Sequence, residues 1–202
     1  MRFKPTVAMV LVGATLATVP WTAALAQELS EKSVRTFMDY AWSLTPSKFT
    51  KPDGSSVLID RKERDKMTVP VDASRAIIMA GRLTAHAQIC ELAEEQVLNY
   101  RSLMTREEAS KKWSPQQMIY INQLHLTTVM LLTGQIKVIE RDGDKKVVID
   151  EGKVQAKTCT DEQRKKVKEL VRTYVQAGPK LSQAAPQPAV PTASTAAPLK
   201  KN

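Results

Sequence analysis

The sequence has two histidines and two cysteines, His86, His125, Cys90 and Cys159, whose side chains could bind a metal or take part in acid–base or thiol chemistry. Because His86 and Cys90 are spaced i, i+4, a helix would place both on one face. Zinc and copper sites need three or four such ligands, and this set is large enough only if Cys159 is reduced. We therefore favour a disulfide beside a hydrogen-bonded histidine over a metal site, and we expect no cofactor.

His125 is the stronger candidate for acid–base catalysis, and it lies in the most apolar stretch of the chain, between Ile121 and Val129 on one helical face. A general base needs a nucleophile or an acid within reach. The sequence contains no G-x-S-x-G, H-E-x-x-H or C-x-x-C-H motif. We therefore expect a buried histidine bonded to a backbone or hydroxyl group, in a protein that is not an enzyme. The alternatives are an enzyme whose site forms around His125 or His86, and a carrier of a metal or small ligand.

Both cysteines of the chain, Cys90 and Cys159, are predicted to form one disulfide, because an even number in an exported protein is typical of a bridge. Closing a loop of this size would stabilise the fold by about 4 kcal/mol in the chain-entropy treatment. A redox-active pair is the alternative, but such pairs usually have C-x-x-C spacing and a lowered thiol pKa. The wide spacing favours a structural bridge.

The prediction of export depends on residues 1–26, which have the pattern of a secretory signal peptide. Arg2 and Lys4 form the charged start, residues 7–19 are uncharged and mostly apolar, and residues 24–26 (Ala-Leu-Ala) precede the cleavage site. Cleavage would leave Gln27 as the N-terminus and direct the protein to the periplasm. An uncleaved membrane anchor is the alternative, which the polar residues within the segment disfavour.

The net charge and hydropathy limit the partners of the exported chain. The formal charge falls from +9 to +7 without Arg2 and Lys4, and three of the remaining lysines lie in the C-terminal tail. Export separates the protein from nucleic acid, so the partner to expect is another protein or an anionic polymer or lipid of the cell envelope. Since no second apolar run approaches the roughly 20 residues of a membrane span, the processed chain is expected to be soluble.

Helical periodicity dominates the residues after the signal peptide. The longest predicted helix follows Asp72, and a break or a new cap at Thr105 is left open. The clearest helix start is the capping box Ser114–Gln117 with a proline at N1. We predict four main helices, which cover about 31–44, 73–104, 115–133 and 161–177.

Between the last two helices, β-branched runs flank an Arg-Asp-Gly-Asp turn, and this pattern predicts a hairpin over 136–150. The fold class is therefore mainly α: a bundle of about four main helices with a small β-hairpin inserted before the last helix. This helical domain covers 27–179, and the Ala- and Pro-rich segment 180–202 is expected to be a disordered tail. The shorter apolar run 57–59 is a candidate strand.

Three aromatic residues, Tyr100, Trp113 and Tyr120, flank the middle of the predicted bundle. They are candidates to line a groove for a peptide or a lipid. The alternative is that they fill the edges of the core, as aromatic residues near helix ends usually do.

The two cysteines and a segment around His125 resemble a group of small exported helical proteins of Gram-negative bacteria that carry two cysteines. The residues that carry the resemblance cover about the middle third of the chain; they are Cys90, Trp113, Ser114, Gln117, Tyr120, Ile121, Leu124, His125 and Cys159. The resemblance implies a helical domain in the periplasm and implies no activity. The expected function is therefore that of a periplasmic binding protein, acting on a protein or an envelope component, with a role in envelope stress as one version.

Overall fold

The computed structural model of the chain describes residues 29–141, 144–149 and 158–181, and for 137–149 it describes the backbone alone. The predicted signal peptide (1–26) and nearly all of the predicted tail (180–202) lie outside the described residues.

The described residues form a mainly helical bundle with a hairpin before the last helix, which confirms the predicted fold class. In chain order the elements are α1 (Glu31–Leu44), β1 (Lys48–Thr50), β2 (Ser56–Leu58), α2 (Arg64–Met67), α3 (Val71–Ile89), α4 (Ala93–Ser110), α5 (Pro115–Thr133), β3 (Ile136–Arg141), β4 (Asp144–Ile149) and α6 (Asp161–Gln176).

Most of the helix ends lie where local capping chemistry predicts them. Ser30 caps α1 through its side chain, and α1 ends at Thr45 before a proline. Ser114 and Thr160 each form a capping box at the start of α5 and α6. Gly134 ends α5 in the left-handed conformation. These caps satisfy backbone groups that a helix leaves unpaired at its ends.

The prediction of one helix over 73–104 is wrong, because the chain breaks between Cys90 and Leu92 into α3 and α4. Glu91 adopts a left-handed φ of 57°, and the Leu92 amide donates to the Ala87 carbonyl at 2.9 Å. This is the geometry with which many helices end, usually at a glycine. The break also changes the helical phase, so Val97, which a continuous helix would place on the same face as Cys90, is 54% exposed.

The core consists of two separate clusters. The main core lies between α1, α3, α4 and α5, with Ile77, Ile78 and Leu124 among its fully buried side chains. A smaller group, the satellite cluster, joins α6 to the corner between α3 and α4; its buried residues are Ala87, Cys90, Leu92, Val167 and Val171. The helix α3 contributes to both clusters and packs against α1, α4, α5 and α6.

The predicted disulfide between Cys90 and Cys159 is present, with its Cα atoms 5.0 Å apart. It joins the corner between α3 and α4 to the residue that precedes Thr160, the N-cap of α6. The guanidinium of Arg164 donates to the Cys90 carbonyl at the same place. The bridge therefore fastens the last helix to the helical region that begins at α3.

Both hairpins are antiparallel and two-stranded. In the predicted hairpin, Ile136 pairs with Ile149 and Arg141 with Asp144. In the first hairpin, β2 covers most of the predicted strand 57–59, and its partner β1 has no predicted counterpart. Strands of three residues give too little alternation to be recognised in the sequence.

Two helix ends provide a matched test of backbone strain. Lys111 after α4 and Gly134 after α5 have φ values of 51° and 78°. A side chain in this conformation costs roughly 1 kcal/mol, so Lys111→Gly should raise the free energy of unfolding by about that amount and Gly134→Ala should lower it equally. A Cβ on Gly134 would meet no atom within 4 Å, so packing does not complicate the comparison. Urea denaturation measures both changes, and shifts of the same sign would contradict the prediction.

Candidate functional site

His125 lies in a buried polar network between α3, α4 and α5. Its Nε2 is 2.9 Å from Thr84 Oγ1. The amide of Asn99 donates to the same hydroxyl at 2.7 Å and to the Ala80 carbonyl at 2.9 Å. The ring of Tyr100 packs against the imidazole, with 5.2 Å between ring centres. His125 is 4% exposed and Asn99 is fully buried, so this network is part of the core.

Burial lowers the pKa of His125 from 6.5 to about 4, because an imidazolium would lose its hydration there. The side chain is therefore neutral at pH 7, and its hydrogen bond goes to the hydroxyl of Thr84. The prediction of a buried histidine bonded to a hydroxyl is confirmed. This arrangement is typical of a structural histidine, since a general base must reach its substrate.

His86 and Cys90, two candidate metal ligands with i, i+4 spacing, lie one turn apart at the end of α3. Cys90 and Cys159 are bonded to each other, so neither is available as a thiolate ligand. Among the residues that the structure describes, no group of three or more His, Cys, Asp and Glu side chains could hold a metal ion. His86 is half-buried on α3, one turn before the bridge.

The three aromatic residues proposed to line a groove have separate surroundings. Tyr120 is completely buried and its hydroxyl donates to the Met38 carbonyl at 3.2 Å. The groove prediction is therefore wrong for Tyr120, because the ring is part of the main core. The other two are half-buried: Tyr100 donates to the side chain of Asn122, and the Trp113 indole donates to a carboxylate in α4.

A surface cleft of about 460 Å³ lies between α4 and α6 and contains residues that could bind a ligand. We call it the α4–α6 cleft. Residues of both helices line it: Glu94, Glu95, Leu98, Lys168, Val171, Arg172, Val175 and Gln176. In each helix the lining side chains recur at i, i+3 or i+4, the spacing that places them on one face.

The α4–α6 cleft has an apolar floor between two walls of opposite charge. Leu98, Val171 and Val175 belong to or pack on the satellite cluster and form the floor. Glu94 and Glu95 lie on the α4 side, and the basic residues lie on the α6 side. At one point the walls meet, since Lys168 Nζ is 3.7 Å from a Glu95 carboxylate oxygen. Such a cleft can bury an apolar side chain and pair with a charge of either sign beside it.

The α4–α6 cleft was not predicted from the sequence, although one feature of the sequence indicated it. The predicted bridge places the start of the last helix next to Cys90, and therefore beside Glu94, Glu95 and Leu98. Because 73–104 was predicted to be one helix, this arrangement could not be recognised. Only the break at Glu91 turns α4 so that these residues face α6.

A second cleft, of about 310 Å³, lies between α1 and α2 and is lined by Arg35, Met38, Asp39, Arg64, Asp65 and Thr68. Most of its charged side chains form ion pairs within the protein. Arg64 forms an ion pair with Asp39 at 2.5 Å, and Arg35 pairs with Glu31 along α1. The α4–α6 cleft is therefore the better candidate for binding.

Comparison of the chain with models of protein families, with curated proteins and with solved structures gave no match. In the described part of the chain, none of the helices combines the length and apolar character that crossing a bilayer requires.

Proposed function

We propose that the protein is an exported, non-enzymatic binding protein of the periplasm that holds a segment of another protein in the α4–α6 cleft. The observation that carries this proposal is the composition of the cleft, an apolar floor between an acidic wall and a basic wall. Protein interfaces characteristically combine an apolar centre with a polar, solvent-exposed rim. A role in envelope stress would be one use of such binding.

Two features support the periplasm as the compartment. The signal-peptide pattern of residues 1–26 predicts export. The bond between Cys90 and Cys159 is of a kind that persists in oxidising compartments and is rare in the cytosol.

The acidic wall favours a protein partner over an anionic envelope polymer or lipid. Glu94 and Glu95 would repel a uniformly anionic chain that entered the cleft beside Lys168 and Arg172. A polypeptide can offer an apolar side chain with a cation on one side and an anion on the other. The burial of His125 in the core supports binding over catalysis.

Reversing the charge of the basic wall should weaken partner binding. A photoreactive residue at Gln176 in cells of the native host should capture the partner, which is then identified and purified. Lys168→Glu/Arg172→Glu should raise the Kd of this complex about tenfold, because both walls then repel acidic groups. Isothermal titration measures the Kd. Lys168 is half exposed and Arg172 is exposed, so the fold should tolerate both changes.

Lys165→Glu/Lys166→Glu provides the matched control, since it reverses two charges on the same helix outside the cleft. It should leave the Kd within about twofold. Equal weakening by both double variants would show a general charge effect and contradict the cleft as the binding site. The proposal of export requires the periplasmic protein to begin at Gln27. A cytoplasmic protein that begins at Met1 and has two free thiols would contradict it.

A further inference from the structure

The helix α6 is attached to the bundle by a small apolar contact. Val167 and Val171 are its buried residues, and both belong to the satellite cluster and not to the main core. Tyr174 is the residue through which α6 reaches the main core, and it is only half-buried. The other helices of the bundle with more than ten residues, α1, α3, α4 and α5, each contribute buried side chains to the main core.

Polar contacts add to this attachment, and one of them, from the Arg164 guanidinium to the Cys90 carbonyl, lies beside the bridge itself. Arg106 donates to the Tyr174 carbonyl at 3.0 Å and its guanidinium lies 4.4 Å from the centre of the ring. The ion pair of Lys168 with Glu95 is 3.7 Å long and half exposed on the lysine side. Exposed pairs of this kind contribute weakly because water screens them. The disulfide is therefore the strongest single connection between α6 and the helices beneath it.

The course of the chain increases the importance of the bridge. Apart from it, α6 is covalently connected to the bundle only through residues 134–160, a long connection that includes the second hairpin. The bridge at Cys159 fixes the start of α6 directly at the corner beside Cys90. It thereby raises the effective concentration of the apolar face of α6 at its docking surface.

We propose that the Cys90–Cys159 bridge, besides its structural role, is a redox latch, whose reduction releases α6 while α1 to α5 stay folded. Release of α6 removes one wall and part of the floor of the α4–α6 cleft. Reduction of the bridge would therefore abolish binding at that cleft. This consequence for binding rests on the proposed function.

The reaction is a thiol–disulfide exchange with a dithiol reductant. Cys159 is half-buried whereas Cys90 is 4% exposed, so the attacking thiolate reaches the Cys159 sulfur. The S–S bond breaks, and the Cys90 sulfur leaves as a thiolate and takes up a proton. The second thiol of the reductant then attacks the mixed disulfide, Cys159 leaves and is protonated, and the reductant becomes a disulfide. Two electrons thus pass from the dithiol to the bridge.

Hydrogen–deuterium exchange of the processed protein, with and without dithiothreitol, tests the latch. Loss of the bridge should accelerate exchange of the amides in α6 by up to about 1,000-fold, the equivalent of the chain-entropy contribution of a loop of this length. Amides in the middle of α3 and α5 should change by less than about threefold, because opening limited to α6 leaves their hydrogen bonds intact. Cys90→Ser/Cys159→Ser should reproduce the reduced pattern, and dithiothreitol should not change it further.

Two results would overturn the proposal. Unchanged protection of α6 after reduction would show that apolar packing alone holds the helix. Loss of protection in α3 and α5 together with α6 would show that the bridge stabilises the whole domain and does not act as a latch. The experiment needs no partner, so its outcome is independent of the test of the α4–α6 cleft.

Discussion

Gly81→Val is expected to lower the free energy of unfolding by about 3 kcal/mol, because Gly81 lies where α3 crosses α5. A Cβ at this position would be 2.8 Å from Thr128 Cβ, 2.9 Å from Thr128 Cγ2 and 3.2 Å from the His125 carbonyl oxygen. Two of these atoms belong to the short side chain of a buried threonine and one to the helix backbone. None of them can move aside without separating the two helices.

Ala76→Val is the matched control for this prediction, since Ala76 is an exposed residue of the same helix. It adds a β-branched side chain without a clash, so only the loss of helix propensity, roughly 0.6 kcal/mol, is expected. Urea denaturation measures both variants. A double-mutant cycle of Gly81→Ala and Thr128→Gly tests the contact directly. Gly81→Ala should destabilise the protein less when Thr128 is replaced by glycine, because the threonine side chain that the new Cβ would meet is then absent. A Gly81→Val variant as stable as Ala76→Val would contradict the close crossing.

The parts of the fold that depend on local chemistry could be predicted from the sequence. The capping boxes at Ser114 and Thr160 fix the starts of two helices whatever their neighbours are. The pairing of Cys90 with Cys159 followed from the number of cysteines and from the predicted compartment. The capping boxes involve only residues close in sequence, and two cysteines can form only one intramolecular disulfide.

The break between α3 and α4 could not be predicted, because Glu91 adopts a conformation that usually belongs to glycine. No proline or glycine marks the end of α3. The chain turns there because Cys90 and Leu92 are buried in the satellite cluster against α6. Tertiary packing of this kind overrides local propensity.

The candidate site was predictable to the extent that it depends on one helix at a time. The burial of His125 followed from the apolar residues around it on α5. The prediction for Tyr120 was wrong because the burial of its ring depends on α1. The Met38 carbonyl of that helix accepts the hydrogen bond of the tyrosine hydroxyl. The α4–α6 cleft depends on two helices that are neighbours only in the folded chain, so their separate patterns did not show it.

Acidification from pH 7 to pH 4 is expected to lower the free energy of unfolding by about 3 kcal/mol through His125 alone. The pKa of this imidazole is about 4 in the folded protein and 6.5 in the unfolded chain. Between these values the unfolded chain binds a proton that the folded protein does not, so stability falls as the pH falls. Each unit of difference in pKa corresponds to about 1.4 kcal/mol. The loss begins near pH 6.5 and is nearly complete at pH 4.

Urea denaturation at intervals from pH 7.5 to pH 5 isolates this effect, because most carboxylates stay ionised there. His125→Gln should have a lower stability at pH 7 but a flatter dependence on pH than the wild-type protein. His86→Gln, which replaces the other histidine of the chain, should retain the wild-type contribution of His125. Identical pH dependence of wild type and His125→Gln would show that His125 titrates normally. If the free energy of unfolding falls steeply with pH only when His125 is present, acid weakens the packing of α3, α4 and α5 against one another. The reason is that protonation of His125 places an uncompensated charge in the core that these helices share.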